Sequence, residues 1–139
     1  MDEEEQERCL AFFWSPDSRR LLYLTSRRGD AEMFRNLRGM ALRCSWNVLD
    51  VSSGQVERWR AFTPSQIFLE DILPNFDSYA RSMTLWSPDS SAFCFAGSCF
   101  ITTTPGVAEV QEGAWVQQLG HPSPVMVVDG AVHVAWSPS

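Results

Sequence analysis

Lysine is absent from this sequence, and histidine occurs only twice. All eleven basic residues are arginines, they lie between Arg8 and Arg81, and the formal net charge is −6. Non-specific nucleic-acid binding depends on a positive field that attracts phosphate, which an acidic protein does not supply. The composition therefore argues against a nucleic-acid-binding protein.

Long apolar runs are also missing. No stretch approaches the ~18 apolar residues that a membrane-spanning helix needs. Residues 1–8 form an acidic tail, whereas a secretion signal begins with basic residues followed by apolar ones. We therefore expect no membrane insertion and a soluble intracellular protein, either cytoplasmic or organellar.

The patterns that accompany common catalytic and metal sites do not occur either. The sequence has no Gly-x-Ser-x-Gly nucleophile motif, no glycine-rich phosphate loop and no Cys-x-x-Cys pair. His121 lies in a Gly-His-Pro turn and His133 on an apolar strand, and neither has an acidic or thiol partner at ligand spacing. We expect no catalytic residue, no cofactor-binding residue and no metal ligand, and hence a protein that is not an enzyme.

Cysteine is present at four positions, 9, 44, 94 and 99. Cys9, Cys44 and Cys94 lie within apolar runs, where a cysteine behaves as a small core residue. Buried thiols are therefore favoured over a disulfide framework or a metal site.

The most informative feature of the sequence is a repeat. The pentapeptide Trp-Ser-Pro-Asp-Ser at 14–18 recurs at 86–90, and residues 136–139 read Trp-Ser-Pro-Ser. In the first two copies an apolar run leads into the tryptophan, and another follows the final serine. Proline presets φ for the second position of a type I turn, and serine and aspartate oxygens cap local N–H groups. Each copy therefore predicts a β-hairpin.

Two further predicted strands follow each hairpin. They are residues 45–51 and 56–59 in the first unit, and residues 114–119 and 124–128 in the second. In this alignment Trp46 corresponds to Trp115, and Val56 corresponds to Val125. Each unit thus contains four antiparallel strands, which predicts an all-β protein.

The Trp-Ser-Pro-Asp-Ser turn and its apolar strands resemble the repeat of TolB-like, WD-related β-propellers, whose blades are four-stranded antiparallel sheets. Related blades form the propeller domain of prolyl oligopeptidase-type enzymes. The resemblance implies a first blade at 9–62, a second at 83–128 and the first strand of a further blade at 129–139. Ser18 and Ser90 replace the glycine that the family usually has after the aspartate. The alternative is a β-sandwich with a coincidental repeat.

Three insertions lengthen the two units. An Arg-rich segment occupies 27–43 within the first blade. The segment 63–82 between the blades predicts a short helix, with Thr63 as the N-cap and Pro64 at the first helical position. Residues 99–112 contain threonine and glycine, and we predict an irregular loop there.

The resemblance also bears on function, because two blades cannot close the ring that four to eight blades form. The uncovered strand edges and apolar faces would recruit other chains. We expect a non-enzymatic interaction scaffold that completes its sheets with a protein partner or by homo-oligomerisation. Arginine forks pair with acidic groups, and aromatic side chains dominate interface energetics. The candidate partner-binding residues are accordingly Arg27, Arg28, Arg35, Arg38, Phe68, Phe76 and Tyr79.

Each of these expectations has an alternative. The arginines can form a solvated loop that the acidic N-terminus balances, and the aromatic stretch 68–79 can pack on its own blade. The repeat is also compatible with a propeller fragment of a prolyl oligopeptidase-like hydrolase whose catalytic domain lies outside this chain. Such a hydrolase needs a domain with a Gly-x-Ser-x-Gly motif, and the sequence contains none of it.

Overall fold

A computed structural model of the chain describes residues 7–27, 43–68, 70, 85–131 and 134–136. These residues form two four-stranded antiparallel sheets with almost no helix, which confirms the predicted all-β class. In both sheets the spatial order of the strands follows their order along the chain, so neighbours in the sheet are also neighbours in sequence.

Sheet A contains the first four strands and sheet B the last four. The strands of sheet A are β1 (Glu7–Trp14), β2 (Arg20–Arg27), β3 (Cys44–Asp50) and β4 (Val56–Arg58). The strands of sheet B are β5 (Thr63–Pro64), β6 (Ala92–Thr104), β7 (Val107–Gln118) and β8 (Val125–Asp129). An isolated bridge joins Trp86 to Phe93, on the same side of β6 as β5.

The two pentapeptides form matching turns, as predicted. The Ser18 N–H donates to the Ser15 carbonyl oxygen at 2.9 Å, and the Ser90 N–H donates to the Ser87 carbonyl oxygen at 2.9 Å. Ser18 and Ser90 both have a φ of 61°. This is the left-handed region that glycine enters without a steric penalty. The turn therefore keeps the conformation of a glycine position although both copies have serine there.

An aspartate organises each turn. The Asp17 carboxylate accepts a hydrogen bond from the Ser15 hydroxyl at 2.6 Å. The Asp89 carboxylate accepts hydrogen bonds from the Ser91 hydroxyl at 2.6 Å and from the Ser87 hydroxyl at 2.7 Å. Hydrogen bonds to a carboxylate favour its charged form. They hold the pKa of Asp17 below its ordinary value and lower the pKa of Asp89 to about 2.

The predicted irregular loop at 99–112 is wrong, because β6 and β7 continue through this segment as one long hairpin. Pairing extends from Ala92 and Gln118 to Thr104 and Val107. The turn between the strands contains Gly106, which has a φ of 83°. Threonine and valine favour extended backbone. The segment therefore continues the ladder between β6 and β7 although its composition resembles that of a loop.

The predicted helical insertion is not confirmed. Thr63–Pro64 does not begin a helix but forms β5, which pairs with β6. Within the described residues, helical backbone occurs only at 66–68 and 70. The N-cap is Ser65, whose hydroxyl accepts the Phe68 N–H at 3.3 Å. The remainder of the predicted helix, at 69 and 71–82, lies outside the described residues.

Two glycines let backbone segments approach the middle of sheet B. Gly97 on β6 lies opposite Gly113 on β7. A Cβ atom at Gly97 would collide with the Thr63 carbonyl oxygen, and one at Gly113 would collide with the Val128 carbonyl oxygen. Glycine at both positions therefore allows β5 and β8 to lie close to the central strands.

The core is aromatic and lies between the two sheets. The ring of Trp46 on β3 is stacked on Phe62 with centroids 5.9 Å apart, and it lies edge-on to Phe93 at 5.7 Å. Other buried members of this core are Phe13, Leu22, Leu24, Val48, Trp59, Trp86, Phe95 and Trp115. The contacts of Trp46 with sheet B show that this core joins the two sheets.

The predicted correspondence of Trp46 with Trp115 is wrong by one residue. Trp46 lies opposite Leu24 on β2. Counted from the repeated turns, Leu24 corresponds to Ala96, which lies opposite Ala114 rather than Trp115. Side chains alternate between the two faces of a strand, so this offset places the tryptophans on opposite faces of the repeat unit. Sheet A packs on sheet B with one face of the repeat unit, and sheet B packs on sheet A with the other face. Trp46 and Trp115 therefore point into the same core.

No disulfide joins any of the four cysteines, all of which the structure describes. Cys44 and Cys94 are buried as predicted, and Cys99 is buried as well. The predicted burial of Cys9 is wrong, because this residue lies near the start of the edge strand β1 and is exposed. Burial raises the pKa of the Cys94 and Cys99 thiols to about 12. Neither therefore supplies a thiolate near neutral pH.

Several predicted segments lie partly outside the described residues. The acidic tail at 1–8 is described only from Glu7, where β1 begins. The Arg-rich insertion at 27–43 is described only at its two ends, and the last predicted strand at 129–139 only at 129–131 and 134–136. Trp136 in that last segment is half-buried.

Candidate interaction surface and arginine cavity

The two faces of sheet A differ in the exposure of their apolar side chains. Along β1, Ala11 and Phe13 are buried, whereas Phe12 and Trp14 are exposed. The buried side, which we call the inner face, contacts sheet B. The opposite side, which we call the outer face, carries Phe12, Trp14, Leu21, Tyr23, Leu49 and Val56.

The outer face is continuous because the strand register aligns its side chains. Trp14 pairs with Leu21, Leu21 with Leu49, and Leu49 with Val56. One apolar row therefore crosses all four strands. The exposed fraction is 52% for Trp14 and 51% for Val56. Leu21 and Leu49 between them are partly exposed. Contiguous apolar patches are typical of interaction sites, whereas isolated exposed apolar residues are not.

The same positions of the repeat are buried in sheet B. Trp86 corresponds to Trp14, because each directly precedes the repeated turn, and Phe93 corresponds to Leu21. The bridge between Trp86 and Phe93 reproduces the pairing of Trp14 with Leu21. Yet only 2% of Trp86 and 0% of Phe93 is exposed.

The inner face of sheet A covers these positions of sheet B. The Trp86 indole N–H donates to the Phe13 carbonyl oxygen at 2.9 Å. The Trp46 ring lies 5.7 Å from the ring of Phe93. The tryptophan that precedes a repeated turn is thus covered by a neighbouring sheet in the second unit and not in the first.

Hydrogen bonds also join the two sheets. The Asp17 N–H donates to the Ser90 hydroxyl at 3.3 Å, and the Arg20 guanidinium donates to the Ser90 carbonyl oxygen at 3.3 Å. At the β7–β8 connection, the Gly120 N–H donates to the Glu57 carboxylate at 2.8 Å. The arrangement of the sheets therefore depends on specific hydrogen bonds as well as on apolar packing.

The side of sheet B that faces away from sheet A carries exposed valines, and we call it the valine surface. Val116 pairs with Val125, and Ala114 pairs with Val128. The exposed fraction is 66% for Val125 and 54% for Val128. Val116 occupies the repeat position of Val48 on the inner face of sheet A. The valine surface is therefore the counterpart, in the second unit, of the face that covers Trp86.

Most of the predicted partner-binding residues lie outside the described part of the chain. These are Arg28, Arg35, Arg38, Phe76 and Tyr79. Arg27 is described only as the last backbone position of β2. Phe68 lies in the core, where 7% of it is exposed and its ring is edge-on to Trp46 at 6.1 Å. Phe68 is thus covered by its own chain and is not available to a partner.

A cavity of about 300 Å³ lies at the end of sheet A away from the repeated turn. Antiparallel strands alternate in direction, so the beginnings of β1 and β3 and the ends of β2 and β4 meet there. We call it the arginine cavity, and its lining includes Glu7, Ser26, Arg43, Ser45, Arg58 and Arg60.

The three arginines of the cavity are held differently. Arg58 forms an ion pair with Glu7 and donates to the Ser45 hydroxyl at 3.5 Å. The guanidinium carbons of Arg43 and Arg60 lie 5.8 Å and 5.3 Å from the centre of the Phe100 ring. These are cation–π contacts, which orient a guanidinium without neutralising it. Among the described residues, no carboxylate pairs with Arg43 or Arg60.

A buried hydroxyl also belongs to this cavity. Only 2% of Ser26 is exposed, and its Oγ atom has no hydrogen-bond partner within the described residues. Thr25 differs, because its hydroxyl accepts the Asn47 side-chain amide at 3.0 Å. A buried hydroxyl without a partner is unfavourable, since folding removes its hydrogen bonds to water.

The described residues contain no group of three or more histidine, cysteine, aspartate or glutamate side chains that could hold a metal ion. His121 is exposed, and its backbone carbonyl oxygen accepts the Trp59 indole N–H at 2.8 Å. His133 lies outside the described residues. In the same part of the chain, no helix has the length and apolar character needed to cross a membrane.

The sequence contained signals for both surfaces that were not used in the prediction. In β1, apolar residues occupy both sets of alternating positions over 10–14, so both faces of the strand are apolar. Arg58 and Arg60 flank Trp59, which places both arginines on one side of an extended segment. The convergence of these arginines with Arg43 required the tertiary structure, because β3 and β4 meet only in the folded sheet.

Comparison with protein-family models, with curated proteins and with solved structures found no match for this chain. Its function therefore has to be inferred from these two surfaces.

Proposed function

We propose that this chain is a non-enzymatic interaction scaffold built from β-propeller-type repeats, and that the outer face of sheet A is its docking surface. The observation that carries the proposal is the contrast between Trp14 and Trp86. Both precede the same turn, but 52% of Trp14 is exposed against 2% of Trp86. The repeat therefore contains a face that another sheet covers in sheet B, and the described residues place no sheet over the same face of sheet A.

The occupant we propose is a second copy of this chain, which docks through its valine surface. That surface occupies the repeat positions of the inner face of sheet A, which is the face that covers Trp86 within one chain. Val125 and Val128 are more than half exposed and offer the apolar area that such a contact needs. The occupant therefore repeats, between chains, the packing that already exists between sheets A and B.

The proposed contact is head-to-tail, because the two surfaces that meet are different. A contact of this type propagates from copy to copy and ends only when a ring closes. Ring closure would also remove the remaining exposed sheet faces, as it does in propellers. We therefore expect a closed oligomer rather than a symmetric dimer.

Sedimentation equilibrium of the chain across micromolar to millimolar concentrations tests the proposal. We expect a discrete oligomer, and Trp14→Ser should weaken its association by about thirtyfold, since an interface tryptophan typically contributes 2 kcal/mol or more. Val125→Ser, on the opposite partner surface, should weaken it as well. Circular dichroism should show that both variants remain folded.

The matched control is Ile67→Ser. Ile67 is 39% exposed and lies in the helical turn at 66–68, outside both docking surfaces. This variant should associate as the unchanged chain does. A folded chain that stays monomeric throughout the concentration range would overturn the proposal, and so would an oligomer that Trp14→Ser leaves intact.

A further inference from the structure

The arginine cavity carries an inference that does not depend on the proposed docking surface. It lies at the opposite end of sheet A from Trp14 and is lined by residues from the ends of strands. Its volume of about 300 Å³ exceeds the ~30 Å³ that one water molecule occupies in the liquid. The cavity therefore has room for a small polar group together with part of the molecule that carries it.

The charge of the cavity is positive although the protein is acidic. Its lining contains Arg43, Arg58 and Arg60 against the single carboxylate of Glu7. The ion pair between Arg58 and Glu7 leaves the charges of the other two arginines uncompensated by any described carboxylate. An anion in the cavity would interact favourably with these two guanidinium groups.

The orientation of these arginines favours binding over mere solvation. Arg43 and Arg60 both lie against the ring of Phe100, which comes from sheet B. One ring therefore contacts both guanidinium groups and restricts both side chains. Guanidinium groups that are held in place present their N–H forks to a planar or tetrahedral oxyanion at a reduced entropic cost.

Ser26 is the second, independent indication of a ligand. Ser26 lines the cavity, and its buried hydroxyl has no partner among the described residues. Native proteins satisfy nearly all such groups. An oxyanion that reaches this hydroxyl would accept a hydrogen bond from it. The hydroxyl would then have the partner that it lacks among the described residues.

We propose that the arginine cavity binds the phosphoryl group of a phosphate monoester. A phosphate monoester carries a charge of about −1.5 to −2 at pH 7 and has three acceptor oxygens. This charge matches the two guanidinium groups that no described carboxylate neutralises, whereas a carboxylate would balance only one of them. Arg43, Arg60 and the Ser26 hydroxyl donate to the phosphoryl oxygens, and Arg58 remains paired with Glu7.

Thermal unfolding and isothermal titration calorimetry of the full chain with O-phosphoserine as the probe test this site. Inorganic phosphate, acetate and chloride are compared at the same ionic strength. We expect saturable stabilisation and binding with O-phosphoserine and inorganic phosphate, and no saturable effect with acetate or chloride. Saturable binding of acetate with equal affinity would identify a general anion site and overturn the phosphate assignment.

Single arginine variants locate the site. Arg43→Gln and Arg60→Gln should each weaken phosphate binding about tenfold, because each removes a charge-assisted hydrogen bond. The matched control is Arg19→Gln, since Arg19 is exposed beside the repeated turn at the other end of the sheet. Equal loss of binding in the control would show that phosphate responds to overall charge and not to this cavity.

Ser26→Ala separates a binding role from a structural one. Removing an unpartnered buried hydroxyl should leave the melting temperature of the free chain unchanged or higher. The same variant should lose part of the stabilisation by O-phosphoserine. A variant that is less stable without phosphate and equally stabilised by it would show that Ser26 serves the fold and does not face the ligand.

Discussion

The two copies of Trp-Ser-Pro-Asp-Ser differ in what surrounds them and not in how they fold. Both form the same turn, with serine at a φ of 61° and an aspartate that accepts a hydrogen bond from a serine hydroxyl. Trp86 lies in the core between the sheets, whereas Trp14, at the same repeat position, is half exposed on the outer face of sheet A.

This contrast separates two levels of structure. The turn is a local property, since all of its donors and acceptors lie within a few residues. The burial of the tryptophan depends on the neighbouring sheet, because sheet A contacts Trp86 and accepts its indole hydrogen bond. The same tryptophan position is therefore part of the core in one unit and half exposed in the other.

The largest expected difference is in stability after removal of each tryptophan. Trp86→Ala should lower the free energy of unfolding by about 3–5 kcal/mol, because it leaves a cavity in the core and removes the hydrogen bond to the Phe13 carbonyl oxygen. Trp14→Ala should change it by less than about 1 kcal/mol, as is usual for exposed positions. Urea denaturation of both variants at low protein concentration measures the difference. Equal losses would mean that the outer face is covered within a single chain.

A smaller difference is expected where glycine replaces the serine in the left-handed conformation. Ser18→Gly should raise the free energy of unfolding by about 1 kcal/mol, because it relieves a steric penalty on the backbone. Ser90→Gly relieves the same penalty but removes the hydroxyl that accepts the Asp17 N–H, so its gain should be smaller or absent. Chemical denaturation of the two variants measures this contrast. A larger gain at Ser90 would show that its hydroxyl contributes nothing to the contact between the turns.

The smallest difference concerns pH, because both turn aspartates are exposed. Their folded pKa values are lowered, so their contribution to stability is complete above the unfolded pKa of about 3.9 and is lost as pH falls through the folded pKa. For Asp89 that folded pKa is about 2. The stability difference between the unchanged chain and Asp89→Asn should therefore be constant near neutral pH and shrink in acid.

Asp17→Asn should behave in the same direction, since hydrogen bonding also lowers the pKa of Asp17. Urea denaturation at a series of pH values follows both variants. A difference that grows in acid would contradict the assignment of these hydrogen bonds to the charged carboxylates.

The elements that were predicted correctly are those whose signals are local. The repeated turns, the strands on either side of them in the first unit, and the third and fourth strands of each unit were all visible as short apolar runs between turn residues. The elements that were missed depend on pairing between distant residues. Thr63–Pro64 has the composition of a helix start, yet it pairs with β6 because Gly97 leaves room for it.

The correspondence of the tryptophans shows how one residue of offset changes a conclusion. Trp46 and Trp115 look equivalent in sequence because each lies in the third strand of its unit. Strand register places Ala114, and not Trp115, at the position of Trp46. Register follows from the packing of whole sheets, so spacing along the chain was an unreliable guide to the direction in which each tryptophan points.

The two candidate sites differ in the same way. Consecutive residues at 10–14 are all apolar, so both faces of β1 are apolar and an exposed apolar face on this strand could have been predicted. The arginine cavity could not, because Arg43 precedes β3 whereas Arg58 and Arg60 lie at and just after the end of β4, and Arg43 and Arg60 both contact Phe100 of the other sheet.

By itself, the amino-acid sequence determined the turns, the alternation of the strands and the duplication of a four-stranded unit, because these follow from the conformational preferences of neighbouring residues. The tertiary structure alone decided which face of each unit is buried, which tryptophan remains exposed and which arginines share a cavity. The burial of a side chain and the arginines that share a cavity depend on residues that are distant along the chain. The packing of sheet A on sheet B brings those residues together.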